Sequence, residues 1–259
     1  RQADMEALHP PPAFSEDQLD RRFKDRRKWN VLWISIDTLR ADHVGHLGYS
    51  RPVTPNLDRL ARGAATFTRA WAPYPSSQLS MASMFTGRYP TATALYAKRD
   101  QSDRVTAPFD DVFFAEQARQ AGSQTAGISS LSDDLYADYF SYLADGFETF
   151  TTSGSSETST ADVITERALR AINSFDERPW FSWIHYFDPH APYTSHADFE
   201  FGDEPIDRYD SEIAFCDAHL GRLLEVMRAR PDWDRTIVIV HADHGEEFLD
   251  HGGLHHASS

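Results

Sequence analysis

Hydrophobic residues along this chain follow two rhythms. Four short runs are apolar and β-branched almost without a break: 30–36 (NVLWISI), 124–130 (QTAGISS), 180–187 (WFSWIHYF) and 236–243 (TIVIVHAD). Successive side chains of a strand point to opposite faces, so an unbroken apolar run predicts a strand buried on both, as in a parallel sheet. Between the runs the spacing changes to three and four. Val163, Ile164, Ala168, Leu169 and Ile172 mark one face of a helix over 161–173. Tyr209, Ile213, Cys216, Leu220, Leu223, Leu224 and Met227 do the same over 209–227. TPNLDRLARGA predicts a shorter helix, with Thr54 as N-cap, Pro55 in the first turn and Gly63 at the stop. Strands alternating with helices predict an α/β fold: a mostly parallel central sheet flanked by helices on both faces. Residues 1–28 keep neither rhythm. LHPPPAF is proline-rich and DRRFKDRRK is charged without an apolar face, so an N-terminal extension or linker is expected there. One domain is expected over 29–259, with TTSGSSETST (151–160) as a polar loop.

Composition narrows the function more than the fold. The chain has 259 residues, 41% of them hydrophobic, and a formal net charge of −15. That supports one large core and argues against a nucleic-acid partner, because phosphate contacts need clustered Lys and Arg. The single cysteine, Cys216, lies on the apolar face of the second long helix, so packing is its expected role and no internal disulfide can form. No apolar run approaches the ~18 residues of a membrane helix. The first residue is Arg rather than Met, so a processed or excised piece is expected, whose flanks could have held a signal or an anchor.

Ligands of open α/β sheets bind at the carboxyl ends of the strands. The first predicted strand ends in Asp37, and the fourth delivers Asp243 and His244 within ADHGEE. Carboxylates with a neutral imidazole suit one divalent cation, Ca, Mg, Mn or Zn. Asp37 taken alone reads equally as a turn or helix cap. The set reads better as a cation site, because clustered carboxylates repel one another unless a cation offsets them. The third predicted strand runs into HYFDPHAPY. His185, inside the strand, reads as a buried, hydrogen-bonded core residue; His190, past it, reads as facing the site as an acid or base. SSQLSMASMFTG reads as a loop entering a short helix. A hydroxyl at a helix N-terminus gains free N–H groups that favour an anionic ester, and a neighbouring cation would make it a nucleophile. That points to Ser76 or Ser77, with Ser80 and Ser83 packing or bonding back inside the helix.

These four motifs, in this order, resemble the sulfatase family of the alkaline phosphatase superfamily over roughly residues 29–259. The quoted segments are NVLWISIDTLRADHVGHLGYSRPVTPNLDRLARGAATFTRAWAP, SxxSMASMFTGRYP, HYFDPHAPY and ADHGEEFLDHG. The resemblance implies an alkaline-phosphatase-like fold with Asp37, Asp243 and His244 as ligands of one divalent metal ion. It implies Ser77 as nucleophile and His190 as the group that contacts the ester or protonates the leaving alcohol. His185 and His255 are further substrate-binding candidates, and His251 and His256 could also supply a contact. The implied reaction is hydrolysis of an anionic sulfate or phosphate ester through a covalent intermediate on Ser77. A periplasmic or extracellular location is favoured, with membrane attachment through flanking segments.

The departures are equally specific. Many members carry a second Asp where this chain has Thr38. The signal for oxidation to formylglycine needs Pro and Arg where this chain has Leu79 and Met81, so formylglycine at Ser77 is not carried over. GISSLSDD lacks the Lys and His that grip sulfate. These losses resemble the branch with an unmodified Ser or Thr, that of phosphodiesterases and phosphoglycerol or phosphoethanolamine transferases. A non-catalytic ligand-binding relative is the other reading. The family's C-terminal part has no counterpart after HGGLHHASS.

Overall fold

A computed structural model describes residues 29–93, 96, 111–155 and 159–256. The expected extension over 1–28 lies outside them. In chain order the main elements are β1 (Asn30–Ile36), α1 (Pro55–Ala61), α2 (Ser77–Thr86), α3 (Phe114–Gln120), β2 (Gln124–Ser129), β3 (Thr149–Thr151), α4 (Ala161–Asn173), β4 (Trp180–Tyr186), α5 (Pro205–Arg228) and β5 (Thr236–Ala242). A hairpin of β6 (Glu247–Phe248) and β7 (Leu254–His255) follows.

The five main strands form one sheet in the order β3–β2–β4–β1–β5, every neighbouring pair parallel. All carboxyl ends therefore meet at one edge. Leu32, Ile34 and Ile36 of β1 pack on one face with α1, α4 and α5, while Trp33, Phe181 and Trp183 pack on the other with α2 and α3. This is the expected sheet with helices on both faces. Helix α2 is buried nearly all round, through Leu79, Met81, Ala82 and Phe85. The three larger side chains, Leu79, Met81 and Phe85, each contribute ~1.5–3 kcal/mol, and Phe85 meets Trp183 edge-on with ring centroids 4.8 Å apart. The hydroxyl at the entrance of α2 is thus held by a rigid helix.

The structure departs from the sequence pattern in several places. β5 is an edge strand, and Ile237 and Ile239 are 37% and 43% exposed, so its apolar run is not buried on both faces. An apolar run reports burial potential, and the order of strands decides whether it is realised. β3 and the β6–β7 hairpin are too short to leave a periodic signal. Thr54 precedes α1, but its hydroxyl accepts from Gly45 N–H (2.8 Å) and donates to Asp58 (3.0 Å) instead of capping. The free N–H groups of Asn56 and Leu57 are capped by the Asp217 carboxylate of α5, each at 2.8 Å. A residue distant in sequence does what the local residue was expected to do. Cys216 is buried and free, matching its expected packing role.

Asp188, just past β4, ties that strand to the start of α4 by accepting from Ala161 N–H at 2.8 Å. Its other oxygen is buried without a partner. Burial pushes its carboxyl up to about 7, against the Ala161 N–H and with help from the charge of Glu212. The folded state therefore holds a proton that the unfolded chain releases near 3.8. Its contribution to stability is full below about pH 4 and is lost as pH rises through about 7, at a cost of no more than ~4 kcal/mol. Asp188→Asn is expected to raise Tm at pH 8 and change it little at pH 4. Equal shifts at the two pH values in thermal melts would contradict this account.

Candidate active site

Asp37 follows β1 and Asp243 follows β5, so two neighbouring parallel strands set both carboxylates at the same edge of the sheet. Each carboxylate has one oxygen held and one bare. Asp243 Oδ1 accepts from the backbone N–H groups of Thr38 (3.1 Å) and His244 (2.9 Å). Thr38 can donate there because its backbone is left-handed, with φ 55°. That turn is held by Tyr209, whose hydroxyl donates to Thr38 C=O at 2.7 Å and accepts from Arg40 N–H at 2.9 Å. Asp37 Oδ2 accepts from the Ser77 hydroxyl at 3.2 Å. Asp37 Oδ1 and Asp243 Oδ2 are buried and have no hydrogen-bond partner. His244 uses Nδ1 on Gly245 C=O (2.8 Å), which leaves Nε2 to face the Ser77 hydroxyl at 3.0 Å.

The two bare oxygens and His244 Nε2 converge. His244 Nε2 lies 3.8 Å from Asp37 Oδ1 and 3.5 Å from Asp243 Oδ2. The ligand atoms of the three residues all lie within 4.8 Å of one another, and all three residues are buried. Orphaned carboxylate oxygens are costly in a protein interior. Three of mixed O and N type, aimed at one point, fit a divalent cation. Burial opposes ionisation of Asp37, but His185 and the charges of His244 and His190 outweigh it and hold the carboxyl at about 2. Asp243 is pushed the other way, by burial and then by the charge of Asp37. Two acids driven apart in this manner share one charge comfortably and need a cation to hold two. Thr38, where a second Asp was noted as missing, turns its hydroxyl into the same buried region without a partner.

Ser77 is the first residue of α2, after Ser76 at the N-cap position. Its Oγ lies 3.2 Å from Asp37 Oδ2 and 3.0 Å from His244 Nε2, so of the two serines it is Ser77 that meets the carboxylates. Ser80 donates to Asp243 C=O at 2.6 Å and Ser83 bonds back to Leu79 C=O at 2.9 Å, the structural roles expected of them. His190 stacks on Phe187 with centroids 4.2 Å apart and places Nδ1 2.6 Å from Ala191 C=O, leaving Nε2 free.

The histidines expected to touch substrate sit elsewhere. His185 has no exposed surface, and its Nε2 lies 3.5 Å from Asp37 Oδ2, beneath the carboxylate. This matches its reading as a core histidine and removes it from substrate contact. His255 is exposed, on the outer side of the hairpin, with its ring 6.3 Å from that of Tyr193. The ring at the site is His256, at 4.5 Å from His244 and 4.9 Å from His190. The adjacent pair His255–His256 was visible in the sequence, but which ring turns inward depends on the hairpin register, Glu247 opposite His255. His256 Nδ1 meets Glu246 Oε1 at 3.1 Å, and Glu246 Oε2 accepts from Tyr193 at 2.8 Å. Burial disfavours a charged His256, but the Glu246 hydrogen bond and the charges of Glu246, Asp37 and Asp243 prevail and raise its pKa. Glu246 and Tyr193 lie inside the motifs ADHGEE and HYFDPHAPY, but neither motif assigns them a role in holding His256. Arg40 fastens the hairpin, bonding Asp250 (2.6 Å) and Glu246 C=O (3.1 Å).

A parallel α/β sheet thus carries a carboxylate–imidazole cluster and the first hydroxyl of a buried helix at its carboxyl edge. The Sulfatase family model matches residues 29–259, and the chain belongs to that family. It is 36% identical over 97 residues to bovine arylsulfatase A, covering 37% of this chain and 19% of that protein. It is 22% identical over 259 aligned positions to the uncharacterized sulfatase YdeN of Escherichia coli, covering 81% and 46%. An alkaline phosphatase superfamily structure from Vibrio parahaemolyticus superposes with a TM-score of 0.69 at 23% identity, covering 86% and 56%. The matched segments thus cover 19%, 46% and 56% of these three proteins.

Proposed function

We propose that this chain carries the metal-dependent catalytic site of a hydrolase of sulfate or phosphate esters, with unmodified Ser77 as nucleophile. The observation that carries the reading is the position of Ser77 Oγ, within 3.2 Å of Asp37 and 3.0 Å of His244, beside two orphaned carboxylate oxygens. Asp37, Asp243 and His244 would hold the cation, which when bound supplies Lewis-acid polarisation of the ester oxygens. Ser77 Oγ attacks the phosphorus or sulfur in line and forms a covalent ester, displacing the alcohol. The positive end of the α2 helix dipole favours the anionic group transferred. His190 and His256 lie together on the side of the hairpin, where a general acid can protonate the departing oxygen. Water, or an acceptor alcohol, then releases the product. Leu79 and Met81, in the places of the oxidation signal, favour the unmodified-serine branch and a phosphodiester substrate. The extracytoplasmic location rests on the family resemblance. No helix of the described residues is long and apolar enough to cross a membrane.

The test is release of p-nitrophenol from bis-p-nitrophenyl phosphate, p-nitrophenyl phosphate and p-nitrophenyl sulfate, each with Mn, Zn, Mg or Ca. Mass spectrometry of the peptide around Ser77 reports whether the hydroxyl is intact. Silence toward all three esters with every cation would defeat the proposal.

The hairpin histidines should separate cleanly. His256→Ala is expected to slow turnover of esters with poor leaving groups by about 10²–10⁴-fold and of p-nitrophenyl esters far less. His255→Ala should behave as the parent. Because the pKa of His256 is raised, the rate of the parent should fall on the alkaline side only above the ordinary imidazole value of 6.5. Loss of that alkaline limb in His256→Ala, read from a pH–rate profile, is the expected signature.

A further inference from the structure

The buried histidine beneath the site has a job that its burial alone does not explain. In the β1–β4 register Ser35 lies beside His185, and Trp183 is two residues back on β4. Trp183 Nε1–H, which can only donate, points at Ser35 Oγ at 3.0 Å. Ser35 keeps its own hydrogen to give, and His185 Nδ1 lies 3.0 Å away as the acceptor. A neutral ring that accepts at Nδ1 carries its proton on Nε2. That nitrogen is buried without a hydrogen bond of its own, and Asp37 Oδ2 lies 3.5 Å from it, an ion-pair approach just beyond ordinary hydrogen-bond length. The opposite tautomer would aim a lone pair at a carboxylate oxygen. The ring plane is fixed as well, since His185 stacks on Trp183 at 5.5 Å with an interplanar angle of 12°.

Resting on the cation site proposed above, we infer that His185 is the positioning residue for Asp37, the end of a directional relay Trp183 → Ser35 → His185 → Asp37. The Ser77 hydroxyl bonds Oδ2 and the His185 Nε2–H attracts the same oxygen from 3.5 Å, which opposes rotation of the carboxylate and keeps Oδ1 bare beside His244 and Asp243. With Thr38 in place of a second strand-end Asp, one monodentate oxygen from β1 must be aimed without help from a neighbouring carboxylate. Partners that orient a ligand in this way act on metal affinity by about 10- to 100-fold.

Calorimetric titration of the purified protein with Mn²⁺, Zn²⁺, Mg²⁺ and Ca²⁺ selects the tightest ion, which is then titrated into the variants. His185→Asn, which loses the donor facing Asp37, is expected to weaken that ion by about 10- to 100-fold. His185→Gln, whose amide reaches the Nε2 position, should recover most of the loss. Ser35→Ala should fall between them. Independently of any variant, a ¹⁵N-edited spectrum of the parent protein should show His185 protonated on Nε2. A proton on Nδ1, or affinities for His185→Asn and His185→Gln equal to that of the parent, would overturn the inference. A separate failure is recognisable: if Asp37→Asn and Asp243→Asn bind the ion as the parent does, the cation site itself is wrong and the inference falls with it.

Discussion

Ser77→Ala is expected to abolish turnover, by at least about 10³-fold in kcat, and to leave cation binding close to that of the parent protein. The size follows from the role: removal of a covalent nucleophile leaves only what binding and electrostatics can do. The selectivity follows from geometry. Ser77 touches Asp37 Oδ2 and His244 Nε2, whereas the two bare oxygens turned toward the cation position, Asp37 Oδ1 and Asp243 Oδ2, accept from no hydroxyl. Stability should change little, because α2 is held by Leu79, Met81 and Phe85 rather than by its first hydroxyl. Intact-mass analysis of the parent, quenched during turnover, should show a phosphoryl or sulfuryl adduct that the variant lacks. Unchanged turnover in Ser77→Ala would exclude it as nucleophile.

The second large effect is a loss of activity coupled to a gain of stability. Asp243→Asn should lose cation-dependent turnover by about 10³-fold or more. To keep its bonds from Thr38 and His244 N–H, the Asn oxygen must sit where Oδ1 sits now. Its amide N–H₂ then faces the cation position and offers donors where a lone pair is needed. Without the ion, the same change removes a carboxyl whose ionisation is opposed by burial and by Asp37. The metal-free variant should therefore melt higher than the metal-free parent. Addition of cation at ~100 times Kd stabilises the parent by about 2.7 kcal/mol and should leave the variant unmoved. Thermal melts with and without chelator read both effects, and a variant that still gains stability from the ion would show that Asp243 is not a ligand.

Much of the site was legible because strand ends leave sequence signals. An apolar run that stops at Asp37 or Asp243 marks both the strand and its functional end, and all parallel strands end at one edge of the sheet. The serine segment was legible as a helix entrance, which narrowed the hydroxyls to Ser76 and Ser77. His185 was ambiguous for a physical reason: a histidine inside an apolar strand looks the same whether its ring supports a ligand or touches one. His255 and His256 could not be separated, because a two-residue strand has no periodicity to show which side chain turns inward. The tertiary cap of α1 by Asp217 and the Tyr193–Glu246–His256 chain join residues that no local pattern connects.

By itself the sequence determined the class of fold, the strands that carry the acids, the helix that carries the hydroxyls and the motif order of the family. These depend on periodicity and residue type, which are properties of a short window. Tertiary structure alone decided which oxygen of each carboxylate is bare, which hydroxyl and which hairpin imidazole meet them, and what lies beneath Asp37. Those depend on distances of a few ångströms between segments as much as two hundred residues apart, such as Thr38 and Asp243. Packing fixes such distances, and no window of sequence contains them.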